Sequence, residues 1–191
     1  MRSRRLRWLL LLLGLVALVL VYTRTRPTRG ELIYHHLRLG DAATASQPDQ
    51  AISEYQAALA LDPCVHYARR GLARVYDRMG DHPGAIRELE AGVRADPRSV
   101  MALDNLAFAH YAARNFRAAI PVYRAAAHIE PDNAYWLTFV GRCYAGLGDA
   151  PSARKEFAAV LRVDPNNTAA RRGLDVLNDP HRPAAHHAAA P

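Results

Sequence analysis

The sequence predicts an all-α protein: an α-solenoid of helix-turn-helix repeats preceded by a single N-terminal transmembrane helix. Three observations carry this expectation. Four prolines close near-identical phrases at a constant interval, small and bulky residues recur at fixed offsets upstream of each, and residues 8–22 carry no charge. A chain of 191 residues, half of them apolar, has enough hydrophobic content for one folded unit or a short repeat array.

The N-terminal segment comes first. Trp8 to Tyr22 reads WLLLLLGLVALVLVY and follows four arginines in the first seven positions. As a helix these residues span about 22 Å, and Leu6 together with a snorkelling Arg7 brings the segment to the lower edge of what crosses a bilayer. A cleaved signal peptide shares the basic start and the apolar run, but its exit needs small residues, whereas this chain continues VLVYTRTRP. The reading is therefore an uncleaved signal-anchor, with Trp8 and Tyr22 as interfacial aromatics. The arginine bias places the N-terminus in the cytoplasm and exports the repeats, to a periplasmic or extracellular location.

Charge distribution narrows the partner classes. The formal net charge is +7, yet residues 1–31 hold seven arginines against Glu31, while residues 32–178 carry seventeen basic and sixteen acidic side chains. A nearly neutral body removes the main argument for nucleic-acid binding. Cys64 and Cys143 lie outside any CxxC pattern and read as unpaired small residues.

The repeats are measured by their prolines. LDP at 61–63, ADP at 95–97, IEP at 129–131 and VDP at 163–165 place Pro63, Pro97, Pro131 and Pro165 thirty-four residues apart. Twelve residues before each stands Ala51, Ala85, Ala119 or Ala153; eight before stands Tyr55, Leu89, Tyr123 or Phe157. Five before stands Ala58, Gly92, Ala126 or Val160, and the offsets of four and three put these on one helical face, with a small residue where another helix approaches and a bulky one filling the gap. The earlier half repeats as Leu72, Leu106 and Val140, followed by Ala73, Ala107 and Gly141, so each unit is a pair of helices. MGDHPGA and LGDAPSA mark two of the turns, with glycine ending one helix and proline opening the next. In the third unit the left-handed position is assigned to Asn115.

This pattern resembles the tetratricopeptide repeat family. The fourth unit carries it best, with Leu137, Val140, Gly141, Tyr144, Ala153, Phe157 and Pro165 at the signature positions and Leu137 in place of the usual tryptophan. In the first unit Arg38, Leu39 and Ala42 stand where the signature wants leucine, a small residue and tyrosine, so it reads as a degenerate capping repeat. The resulting organisation is a basic tail (1–7), the signal-anchor (8–23), a linker (24–31), the degenerate repeat (32–65), three further repeats (66–99, 100–133, 134–167), a capping helix (168–178) and a disordered tail (179–191). The capping helix, started by Asn166-Asn167-Thr168, covers the last repeat with Leu174 and Leu177.

Catalytic signatures are missing: no HExxH, P-loop, GxSxG or paired carboxylates appear, so neither an enzyme nor a metal or cofactor site is expected. His110 is read as a neutral packed ring, and the tail histidines 181, 186 and 187 as lacking fixed geometry. The family resemblance implies a concave groove lined by the first helix of each pair, which binds a protein or peptide partner. Register then nominates Tyr67, Arg70, Arg74, Asp104, Asn105, Phe108, Tyr111, Tyr135, Thr138, Arg142 and, from the terminal helix, Arg172. Aromatic rings give contact area at low entropy cost, and guanidinium groups grip carboxylates bidentately. Arg70, Arg74 and Asn105 resemble part of the carboxylate clamp of some family members, although Tyr135 and Phe139 replace its further basic residues.

The expected function is that of a membrane-anchored adaptor in cell-envelope assembly, secretion or protein maturation. Its alternative is a self-associating, homo-oligomeric scaffold with no peptide ligand.

Overall fold

A computed structural model describes residues 26–178 together with Leu15; apart from Leu15, the signal-anchor of the sequence reading lies outside the described residues, as does the C-terminal tail. Among the described residues no helix is long and apolar enough to cross a membrane. Nine helices make up residues 29–178: α1 (Arg29–Ala43), α2 (Pro48–Leu61), α3 (His66–Arg78), α4 (His82–Ala95), α5 (Val100–Ala112), α6 (Phe116–Ile129), α7 (Ala134–Gly146), α8 (Ala150–Val163) and α9 (Thr168–Asn178).

Local chemistry sets the boundaries. The α1 start is a capping box, in which Thr28 and Glu31 each hydrogen-bond the other's backbone N–H. Asp81, Ser99, Asn133, Asp149 and Asn167 each accept a backbone N–H at the start of the helix that follows. The acid of the recurring Asp-Pro phrase closes the turn after its helix: Asp62, Asp96 and Asp164 accept the N–H two residues on, at 2.9, 3.1 and 3.0 Å. In the third unit that acid is Glu130, which instead takes the indole N–H of buried Trp136 at 3.1 Å.

Successive helices pack in antiparallel pairs, and α1 also meets α3, α3 meets α5, and α7 meets α9. The odd-numbered helices therefore form one wall of the stack and the even-numbered ones the other. Burial is divided among local clusters, as in a repeat array whose units contact only neighbours. Ala51, Ala119, Ala153, Tyr55, Tyr123 and Phe157 are all essentially fully buried, which explains the periodicity of small and bulky positions.

Two details correct the sequence reading. The left-handed residue of the third turn is Arg114 (φ 57°), while Asn115 has φ −81° and caps α6; Gly80 (φ 81°) and Gly148 (φ 78°) fill the same role at less steric cost. The first repeat is also less degenerate than its strict register suggests. Its small residue is Gly40, where a Cβ would come within 3 Å of the Tyr55 ring, as at Gly141 against Phe157. Gly40 precedes Tyr55 by fifteen residues and Gly141 precedes Phe157 by sixteen, so the first hairpin is one residue shorter and all of α1 is displaced by one position.

Candidate functional site

The wall of odd-numbered helices carries the nominated residues in two groups. The first is closed by its own carboxylate. Asp41 on α1 accepts hydrogen bonds from the hydroxyls of Tyr55 at 2.7 Å and Tyr67 at 2.8 Å, and from the Arg74 guanidinium at 2.9 Å. Arg74 also donates to the Tyr55 oxygen at 3.2 Å, and Thr44 lies 3.2 Å from the same oxygen. Burial alone would raise the Asp41 carboxyl; the bonds from Tyr55, Tyr67 and Arg74 outweigh it and hold the group below the usual aspartate range. Burial raises the Tyr55 hydroxyl, and its bond to Asp41 adds to the rise. Arg70 lies over the Tyr67 ring with its guanidinium carbon 5.0 Å from the centroid, outside this network.

The second group sits between α5 and α7. Here Phe139 projects where α3 has Gly71, and its ring stacks on Tyr123 at 5.0 Å between centroids. Tyr135 and Tyr111 pack on the same ring at 4.8 and 5.2 Å, so aromatic side chains fill the space between the two helices. Phe108 and Tyr135 are 52% and 40% exposed, which leaves apolar surface facing solvent. Asp104 accepts the Tyr135 hydroxyl at 3.3 Å and pairs with no cation among the described residues. Burial raises its carboxyl, against the lowering effect of the Tyr135 bond. Burial also pushes the Tyr135 hydroxyl up to about 12. Arg142 reaches over the Phe139 ring at 5.1 Å and forms no ion pair among the described residues.

A groove of about 1130 Å³ continues from this group toward the terminal helix, walled by Tyr135, Thr138, Phe139, Arg142, Asp164 and Asn167. The geometry sorts the nominated residues. Tyr135, Thr138 and Arg142 line this groove, whereas Asp104, Phe108 and Tyr111 lie on α5 and are not among its lining residues. Thr138 is only 5% exposed and its hydroxyl is committed to the Ala134 carbonyl at 2.7 Å, so it offers a wall and no free donor. Tyr67 and Arg74 belong to the closed group. Asn105 is half-buried, and Arg172 is exposed on α9 without lining the groove.

The rings and guanidiniums follow the repeat register, but what they touch does not. Asp41 escaped because the shortened hairpin moves it out of phase. Tyr55 and Tyr123 were read as core positions, although their hydroxyls separate the two groups. Trp136 went unnoticed because the signature tryptophan was sought at Leu137.

A family model described as tetratricopeptide repeat matches residues 42–104 and 110–174. Over 108 residues the chain is 25% identical to Superkiller complex protein 3 of Mus musculus and 27% identical to Tetratricopeptide repeat protein 37 of Xenopus laevis. Each match covers 56% of this chain and 7% of the relative, so the chain spans a small fraction of those proteins. Among solved structures it superposes on MamA with a TM-score of 0.61 at 23% identity, covering 78% of this chain and 81% of that one. It superposes on Pseudomonas aeruginosa pilF with a TM-score of 0.61 at 20% identity, covering 78% and 68%. For YrrB, described as a TPR protein with an unusual peptide-binding site, the TM-score is 0.56 at 22% identity, covering 74% of each chain. These likenesses show the fold.

Proposed function

The chain belongs to the tetratricopeptide repeat family, whose members bind protein or peptide partners, and we propose that this one holds its partner against the open group on α5 and α7. The observation that carries the reading is the groove lined by Tyr135 and Arg142, which forms no ion pair among the described residues, with the exposed Phe108 on the neighbouring helix α5. Exposed aromatics gathered in one concavity favour an extended segment, because rigid rings lose little entropy on contact. YrrB, a TPR protein with an unusual peptide-binding site, provides a precedent for peptide binding on this fold. The closed group takes no part: Arg74 and Tyr67 already have an acceptor.

The apolar run of residues 8–22, with its arginine-rich flank, supports a membrane-anchored adaptor with exported repeats, acting in cell-envelope assembly, secretion or protein maturation. Confinement to a membrane raises the effective concentration of the groove toward partners that are themselves membrane-bound or in export.

A photo-activated cross-linker at Phe108 in living cells, read by mass spectrometry, tests the groove. One defined partner, lost with Arg142→Glu combined with Tyr135→Ala, is the expected result. Capture of only the same chain would move the reading to a self-associating scaffold. Cell fractionation of the full chain beside a chain lacking residues 1–31 tests the anchor, and an unchanged distribution would refute it.

A further inference from the structure

Two periods of the repeat, 68 residues, carry Tyr55 onto Tyr123, Tyr67 onto Tyr135 and Arg74 onto Arg142. Once the short first hairpin is allowed for, Gly40 corresponds to Ala107, and the next residue, Asp41, to Phe108. The same three donors therefore occur twice in one wall. In the first copy a carboxylate from the chain itself satisfies all three. In the second copy a phenyl ring stands in the carboxylate's position, half-exposed.

The second copy shows what that exchange leaves behind. Tyr123 is fully buried and its hydroxyl has no hydrogen-bond partner among the described residues. Arg142 has a ring beneath it and forms no ion pair among the described residues. Tyr135 makes a single 3.3 Å contact to Asp104, longer than the 2.8 Å bond Tyr67 makes to Asp41. Asp104 is no substitute for Asp41, since no hydrogen bond joins it to Tyr123 or Arg142 among the described residues. By register a guanidinium and two phenolic hydroxyls make up the same donor set here, and Asp41 demonstrates which anion that set accepts in the first copy.

Building on the groove reading above, we propose that the open copy binds a carboxylate of the partner, held by Arg142 and Tyr135 above the Tyr123 hydroxyl, in the place Asp41 fills two repeats earlier. The rings of Phe108, Tyr135 and Phe139 around it select a carboxylate flanked by apolar side chains. A free chain terminus and an Asp or Glu side chain share this chemistry.

The test has an arm within the chain and an arm in solution. Phe108→Asp supplies the missing carboxylate. Because Phe108 is half-exposed, the full chain should keep its helical circular-dichroism spectrum. By carbon-13 NMR the introduced carboxyl should titrate below the ordinary aspartate range, and Arg142→Gln should return it to that range. An ordinary or raised value with Arg142 present overturns the proposal.

In solution, amide shifts around Gly141 are followed for four probes. These are acetyl-Ala-Leu-Leu with a free carboxylate, its C-terminal amide, acetyl-Leu-Asp-Leu-amide and acetyl-Leu-Arg-Leu-amide. The two carboxylate probes distinguish terminus from side chain, and at least one should saturate below about 10 mM. Its affinity should fall about tenfold or more in both Arg142→Gln and Phe108→Asp. Equal binding of the amide, preference for the arginine peptide beside Asp104, binding indifferent to Phe108→Asp, or no saturation overturns the proposal. Cross-linking at Phe108 that captures a partner without any carboxylate dependence would sink this inference and leave the groove reading in place.

Discussion

Tyr55 and Tyr123 occupy equivalent places in α2 and α6, both with their rings fully buried against the preceding helix, yet their hydroxyls meet opposite circumstances. Tyr55 is bonded to Asp41, Arg74 and Thr44, and a glycine, Gly71, lies against its ring. Tyr123 has no partner for its oxygen among the described residues, and Phe139 lies over its ring. A buried unpaired hydroxyl costs free energy that a paired one recovers. The same scaffold position thus adds to stability in the first repeat and subtracts from it in the third. In a repeat protein each unit is held mainly by its neighbours, so one repeat can carry an unsatisfied group while the rest sustain the fold.

The largest change should come from forcing the first region to resemble the second at its tightest point. In Gly71→Phe even the Cβ would lie within 3 Å of the Tyr55 ring, so α3 must move away from α2. Denaturant unfolding should show a loss of about 3 kcal/mol or more. Asp41→Ala removes the shared acceptor of Tyr55, Tyr67 and Arg74, while Tyr55 keeps Thr44 and Arg74 as partners, for a smaller expected cost of about 1–2 kcal/mol in the same measurement.

The tyrosines themselves give a sharper contrast. Tyr55→Phe should cost about 1 kcal/mol, whereas Tyr123→Phe should be neutral or stabilising by up to about 1 kcal/mol, because only an unpaired oxygen is removed. Equal losses in the two variants would mean that the Tyr123 hydroxyl has a partner after all. Arg142→Gln should alter stability by less than about 0.5 kcal/mol, since the guanidinium is exposed and unpaired.

Acid titration separates the two carboxylates by sign. Asp41 is held low in the folded state, so its contribution is present above the ordinary aspartate value and is lost as pH falls through the lowered one. The stability gap between the native chain and Asp41→Asn should therefore be widest at neutral pH and close in acid. Asp104 is raised by burial, so its charged form opposes folding at neutral pH and the penalty lifts as pH falls through the raised value. Asp104→Asn should accordingly be the more stable chain at neutral pH, with its advantage disappearing in acid. A shared sign for both variants would break the comparison.

The regular parts of this molecule were legible because they repeat. Pro63, Pro97, Pro131 and Pro165 fixed the period, and Ala119 with Tyr123 showed which faces must meet. The groove was legible only as composition. Arg74 and Arg142 look alike in sequence, and nothing local distinguishes the one that is bonded from the one that is not. That difference rests on Asp41, on a helix 33 residues before Arg74, and a single missing residue in the hairpin concealed its alignment. Phe139 was noted as a departure from a basic position, but its stacking on Tyr123 follows from the distance between α5 and α7, which no periodicity encodes. Arg114 shows the same limit at a turn, where the favoured Asn115 was available one residue later.

The shortened first hairpin has a consequence for how such a wall changes through descent. The residue missing before Pro48 is absorbed in the turn, since Gly40 still meets the Tyr55 ring as Gly141 meets Phe157. A residue inserted inside α1, between Gly40 and Asp41, has no turn to absorb it: it would carry Asp41 about 100° further round the helix, away from Tyr67 and Arg74, without altering any of the three. Insertion and deletion, more than substitution, would then decide how many mouths the solenoid presents, and a lineage could gain or silence one in a single step while every side chain in it stayed the same.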